Sequence, residues 1–243
     1  MKSNNLFTIS NPKSLQSEGY RMLRTNLQFA SAGKDLKTIV VTSSVSGEGK
    51  STTSINLATT LAQADNKVLL VDCDLRKSSL HKYLHISNSK GLSSLLAGMD
   101  PLEEVLQSTQ VERLQVITAG PMPPNPAELL GSVSMESFMK TIRDKYDFVI
   151  LDCPPVVAVT DGAVLAAQAD GTILVVASGE IPIEVAQDAK GNLQKVGANI
   201  LGVVLNKTKI KQENYYYYEY NNGEKNESSK GKRKARKRKR SMA

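Results

Sequence analysis

The chain has 243 residues, 40% of them apolar, which suffices for one well-filled α/β domain and does not demand two. No stretch approaches the ~20 uninterrupted apolar residues of a membrane-spanning helix; the best candidate, residues 148–159, is broken by Asp152, Pro154 and Pro155. The net charge of +7 belongs to the chain's end: nine of the 31 basic residues lie within residues 230–243, where there is no acid, so residues 1–229 carry 22 basic against 24 acidic side chains.

Residues 1–12 are polar and lack the apolar core of a secretory signal, so the expected compartment is the cytoplasm. Residues 14–30 read as a helix capped by Ser14, with Leu15, Met22, Leu23 and Leu27 spaced for an apolar side. Glu18, Arg21 and Arg24 fall three apart, within about 120° of one helix side, as a charged stripe. From residue 37 strands and helices alternate. Strands are expected at 38–42, 68–71, 114–118, 148–151, 172–176 and 200–205, and helices at 49–64, 134–145 and 183–196. The strand runs are continuously apolar rather than alternating, as strands covered on both faces of a parallel sheet must be. The expected fold class is α/β, a doubly wound, mostly parallel sheet of P-loop NTPase type with helices on both faces. After Asn206 the apolar pattern stops. Residues 208–243 hold five tyrosines and almost no aliphatic side chain, too little to bury, and read as a mobile tail. The expected organisation is thus an N-terminal segment (1–34), a P-loop domain (35–207) and a tail (208–243) with tyrosines at 215–220 and a basic end at 230–240.

The strand at 38–42 leads into Ser44, Val45, Ser46, Gly47, Glu48, Gly49, Lys50, Ser51 and Thr52, and then a helix. The phosphate-loop pattern G-x-x-x-x-G-K-[ST] is met except that Ser44 replaces the first glycine. Glycines let backbone N–H groups approach phosphate oxygens and the helix start favours anions; Lys50 reaches the terminal phosphates and Ser51 offers a hydroxyl to Mg²⁺. Two further apolar strands end in acids, at Asp72-Cys73-Asp74-Leu75-Arg76 and Asp152-Cys153-Pro154-Pro155. In a doubly wound sheet such strand ends share a crevice with the phosphate loop, so Asp72, Asp74 and Asp152 are candidates to hold metal or to accept a proton. Structural ion pairing is the alternative for each. Cys73 and Cys153 read as small residues packed behind the site, since a cytosolic disulfide is not expected and no histidines cluster with them.

These segments resemble the bacterial tyrosine kinases that accompany capsule and exopolysaccharide synthesis. That family carries a phosphate loop like residues 43–51, a "Walker A′" element like 69–76, a Walker B strand like 149–154 and a tyrosine-rich C-terminus, in this order. Residues 124–130 (PNPAELL) are also similar to a family segment, and Glu18, Arg21 and Arg24 resemble its oligomerisation motif. The sequence departs at Ser46 and Ser78, where the family commonly has proline. The resemblance implies ATP and Mg²⁺ as cofactors, with Lys50 and Ser51 on ATP, Asp74 and Asp152 in the magnesium sphere, Asp72 orienting or deprotonating the attacking hydroxyl, and Asn206 near adenine. It implies autophosphorylation at Tyr215, Tyr216, Tyr217, Tyr218 and Tyr220, a ring-forming homo-oligomer, a cognate phosphotyrosine phosphatase, and a transmembrane activator of the polysaccharide export machinery that recruits the chain to the inner membrane face. The MinD/ParA ATPases share the fold and both aspartate strands, but they place a second lysine where this sequence has Val45.

Three readings stand at this point: a kinase, a partitioning-type ATPase acting as a membrane-associated switch, and a binding module without turnover. From residues alone the tyrosine cluster also suits an edge strand or a partner surface. The basic run 230–240 is either a solvated charge run or a site for anionic lipid; lipid suits a membrane activator better than nucleic acid does, and nucleic acid is not expected.

Overall fold

Seven strands form one sheet: β1 (Thr38–Ser43), β2 (Val68–Asp72), β3 (Gln107–Ser108), β4 (Leu114–Ile117), β5 (Phe148–Asp152), β6 (Gly171–Ala177) and β7 (Ile200–Asn206). Their order is β3-β4-β2-β5-β1-β6-β7. Every neighbouring pair is parallel except β3 with β4. The computed structural model describes residues 6–31, 33 and 35–208; the tyrosines at 215–220 and the basic run at 230–240 lie outside the described residues.

Helices cover both faces. One face carries α1 (Phe7–Ser10), α2 (Leu15–Ala30), α3 (Lys50–Ala62) and α4 (Leu80–Leu84), whose Leu27, Leu57, Leu61 and Leu80 pack with Ile39, Val41, Leu70 and Ile150. The other carries α5 (Leu92–Leu96), α6 (Leu102–Val105), α7 (Pro126–Leu130), α8 (Val133–Lys145), α9 (Asp161–Gln168) and α10 (Ile183–Lys195), which bury Leu92, Val105, Leu130, Ile142, Leu165 and Leu193 against Val40, Leu69, Val149 and Leu174. Within β1, Ile39 and Val41 feed one core and Val40 the other, which is why the strand must be apolar throughout. Each such side chain contributes roughly 1.5–3 kcal/mol by leaving water.

The doubly wound fold follows the sequence reading. Ser14 and Ser132 cap α2 and α8, their hydroxyls accepting from Ser17 N and Met135 N. Among the described residues the outer edge is less protected: β7 has no charged residue from Ile200 to Asn206, and its Val203 and Leu205 are 54% and 63% exposed. The expected apolar side of α2 is corrected at Met22, which is 59% exposed. The helix turns instead so that Leu27 enters the core and Leu23 packs against it, while Arg24 Nη1 donates to Thr60 O of α3 at 3.1 Å. Glu18 pairs with Arg21, whose Nη2 also donates to Pro12 O at 2.7 Å, so all three members of the charged stripe are engaged within the chain.

Candidate active site

Between β1 and α3 the backbone turns through Gly47 (φ 91°) and Gly49 (φ 93°), both in the left-handed region. A Cβ on Gly47 would enter open space, which leaves room over the loop; on Gly49 it would lie 2.1 Å from Asn206 Nδ2. Asn206, at the end of β7, donates that amide to Glu48 O at 2.8 Å. The Glu48 side chain is 1% exposed. Its Oε2 accepts from Val45 N at 2.8 Å and its Oε1 from Ala177 N, at the end of β6, at 2.9 Å. Glu48 and Asn206 therefore brace the loop from below, and Glu48 has only its backbone left for a phosphate. Ser46 and Gly47 are exposed, Val45 and Thr52 half-buried, and Ser44 is fully buried.

The carboxylates converge as the strand ends require. Asp72 and Asp152 stand opposite each other in the β2–β5 register. Lys50 Nζ lies 3.0 Å from Asp74 Oδ2 and 3.8 Å from Asp152 Oδ2, and donates to Ser51 Oγ at 3.4 Å. Burial opposes the charge on Lys50, but Asp152 and Asp74 outweigh it and raise its pKa. Asp152 is fully buried and accepts from Ser54 Oγ at 2.9 Å; burial raises its pKa and Lys50 counters this. Asp72 is also fully buried, pushed up to about 7 by burial and then by the Asp152 charge, against backbone N–H groups that favour its ionised form. It accepts from Ser79 N at 3.0 Å, Leu80 N at 3.1 Å and Asp74 N at 3.2 Å, and so fixes the shape of residues 73–80. Cys73 and Cys153 lie behind these acids in the core, as expected, and burial pushes the Cys73 thiol up.

Three features escape sequence reasoning. Glu48 is a brace, Ser79 donates to Ser51 Oγ at 3.0 Å, and Arg76 forms a two-armed pair with the buried Asp161, Nε to Oδ2 at 2.9 Å and Nη2 to Oδ1 at 3.1 Å. The partners lie 28 to 129 residues apart, and no local pattern announces them.

Ser51, Asp74 and Asp152 offer the hard oxygens that Mg²⁺ prefers, and Asp152 Oδ2 is buried without a hydrogen bond. No group of three or more His, Cys, Asp or Glu suited to a metal occurs among the described residues. The set fits a hydrated ion shared with phosphate rather than an all-protein cage.

The sequence matches the AAA domain family over residues 36–201. It is 42% identical over 212 residues to the tyrosine-protein kinase YwqD of Bacillus subtilis (strain 168), covering 87% of this chain and 90% of that one. The chain belongs to the bacterial tyrosine kinases. Tyrosine-protein kinase CpsD of Streptococcus agalactiae is 38% identical, over 82% of this chain and 86% of its own. The kinase domain of the Escherichia coli tyrosine kinase ETK superposes with a TM-score of 0.80 at 35% identity, covering 85% of this chain and 82% of that one. The cell-division ATPase MinD of Pyrococcus furiosus shares the fold more distantly, with a TM-score of 0.60 at 27% identity, covering 70% of this chain and 71% of that one. The tyrosine-kinase assignment is thus favoured over the ATPase alternative. As a bacterial tyrosine kinase the chain has a nucleotide-binding P-loop fold, and no described helix is long and apolar enough to cross a membrane.

Proposed function

We propose that the chain transfers the γ-phosphoryl group of Mg-ATP to tyrosine hydroxyls, among them its own Tyr215, Tyr216, Tyr217, Tyr218 and Tyr220, and thereby regulates capsule or exopolysaccharide synthesis. The observation that carries this reading is the convergence of Lys50, Ser51, Asp72, Asp74 and Asp152 beside an open, glycine-turned loop. Residues 45–52 would cradle the phosphates through backbone N–H groups, with Lys50 leaving Asp74 and Asp152 to contact them. Ser51, Asp74 and Asp152 would hold Mg²⁺, which when bound draws charge from the phosphate oxygens. Asp72 would orient the incoming hydroxyl and accept its proton. Because Asp72 is fully buried, residues 73–79 must yield to admit the ring. Asn206 would serve the nucleotide through the loop it braces, beside any adenine contact.

The proposed setting is the cytoplasmic face of the cell membrane, with a transmembrane activator of the export machinery as partner and a cognate phosphatase to reverse the modification. By the resemblance, Glu18, Arg21 and Arg24 of α2 would take part in a ring-shaped assembly, which would require them to exchange their contacts within the chain for a neighbour's, and the basic run 230–240 suits an anionic membrane surface. The deciding experiment is intact-mass and peptide mass spectrometry after incubation with Mg-ATP, beside Lys50→Met. Phosphate on Tyr215 to Tyr220 in the wild type alone supports the reading; phosphate released as free anion with unmodified tyrosines rejects it.

A further inference from the structure

After β2 the chain leaves the sheet: Cys73 and Leu75 are buried in the core, Asp72 and Asp74 are buried at the site, and Arg76 is exposed. Arg76 is the member that reaches water, its side chain 40% exposed. Its fork is not loose. Both Asp161 carboxylate oxygens hold it, and Asp161 is 0% exposed in the first turn of α9, where the helix dipole favours a negative charge. The pair takes Nε and Nη2; no described residue engages Nη1.

The position of this fork matters. β2 stands on the side of β5 away from β1 and its phosphate loop, and the loop that follows it wraps the Asp72 carboxylate through Asp74 N, Ser79 N and Leu80 N, so an acceptor that reaches Asp72 would meet residues 73–79. Asp72, Asp74 and Asp152 would repel an acidic peptide there. The charge of Arg76 is balanced by Asp161, but its fork leaves Nη1 toward water, and the exposed Lys77 beside it adds positive charge to that loop. An arginine pre-oriented by a buried carboxylate loses little freedom on binding a second one, and its charge-assisted bonds are among the stronger ones.

We propose that Arg76 is a positioning residue for the acceptor, its guanidinium binding a carboxylate close in sequence to the target tyrosine, so that the substrates are acidic tyrosine peptides. The inference rests on the kinase reading above. The chain's own tyrosine run has this composition, with Glu219 between Tyr218 and Tyr220 and Glu213 two residues before Tyr215. In transfer, the bond from the γ-phosphorus to its bridging oxygen on ADP breaks as the bond to the tyrosine oxygen forms, and the hydroxyl proton passes to Asp72. Arg76 holds the neighbouring carboxylate and takes part in none of those bonds.

The test uses the full chain with Mg-ATP and two peptides of residues 211–221, one with Glu213 and Glu219 and one with both changed to Gln, with initial rates read by mass spectrometry. The wild type is expected to show a KM about tenfold higher for the Gln peptide, with kcat within about threefold. Arg76→Gln is expected to raise KM for the acidic peptide by a similar factor and to leave the two peptides equal, while Arg76→Lys restores part of the difference. Equal KM values for the two peptides with the wild type overturn the proposal without any variant. So does an Arg76→Gln effect that falls on kcat or on both peptides alike, which is what a purely structural tie to α9 would produce. No transfer by the wild type to either peptide, nor to its own tyrosines, removes the kinase reading and this proposal with it.

Discussion

Asp72 and Asp152 face each other across neighbouring strands with no solvent around either, and among the described residues the cation that pairs with Asp152, and with Asp74 beside it, is Lys50, only 11% exposed at its side chain. Replacing Lys50 with Met should abolish transfer and also destabilise the protein by about 3 kcal/mol, because Asp74 and Asp152 then remain buried without the cation that pairs with them. The loss should be larger at pH 8 than at pH 5, where the orphaned acids can take up protons; denaturant titrations at both pH values check this. Asp72 makes its own contribution to pH dependence. Its carboxyl is raised to about 7 in the folded protein, against about 3.9 in an unfolded chain. The folded state therefore binds the extra proton, and this part of the stability is present at low pH and lost between about pH 4 and about pH 7. In nucleotide-free protein, Asp72→Asn should flatten that fall, by an amount on the order of a few kcal/mol. These acids were legible in the sequence because each ends an apolar run, and a strand end in this fold lies at the crevice. Their burial and mutual coupling were not, since no spacing tells how much water a carboxylate retains.

At the scale of elements, the phosphate loop depends on two strand ends distant from it in sequence. Glu48 links it to β6 and Asn206 to β7, and a sequence reading that took both as nucleotide contacts could not see that they hold the loop first. Glu48→Ala leaves the N–H groups of Val45 and Ala177 without their acceptor. It should cost about 2–3 kcal/mol in unfolding free energy, less where water reaches Val45. It should also weaken nucleotide binding more than Ser46→Ala does, which calorimetry with ADP can compare. The strands and the long helices were readable from apolar runs and serine caps. The two-residue β3 and the short helices from α4 to α7 were not, because elements of two to five residues carry too few side chains to show a period. The sequence pattern predicts a helix from Gly49, but a left-handed glycine ends the loop there and α3 begins at Lys50.

For the whole molecule, the sheet order sets the division of labour. The phosphate loop sits at the centre, β6 and β7 support it on one side, and β5 and β2 bring the acids on the other. The N-terminal α2 rests on α3 through Leu27 and Arg24, so the element proposed for assembly is packed against the helix that starts at Lys50. Adding phosphates to the five tyrosines, each about −1.5 to −2 in charge, should loosen a ring held by α2; light scattering before and after Mg-ATP should show a smaller particle, and an unchanged mass rejects the idea. The uncharged outer strand bears on how the purified protein keeps. A sheet edge with two exposed aliphatic side chains and no lysine or proline is a template for strand addition, so concentrated stocks should lose monodispersity by stacking edge to edge. Val203→Lys, on that edge and apart from the nucleotide-handling residues, should extend shelf life with turnover unchanged, as turbidity over days and initial rates would record.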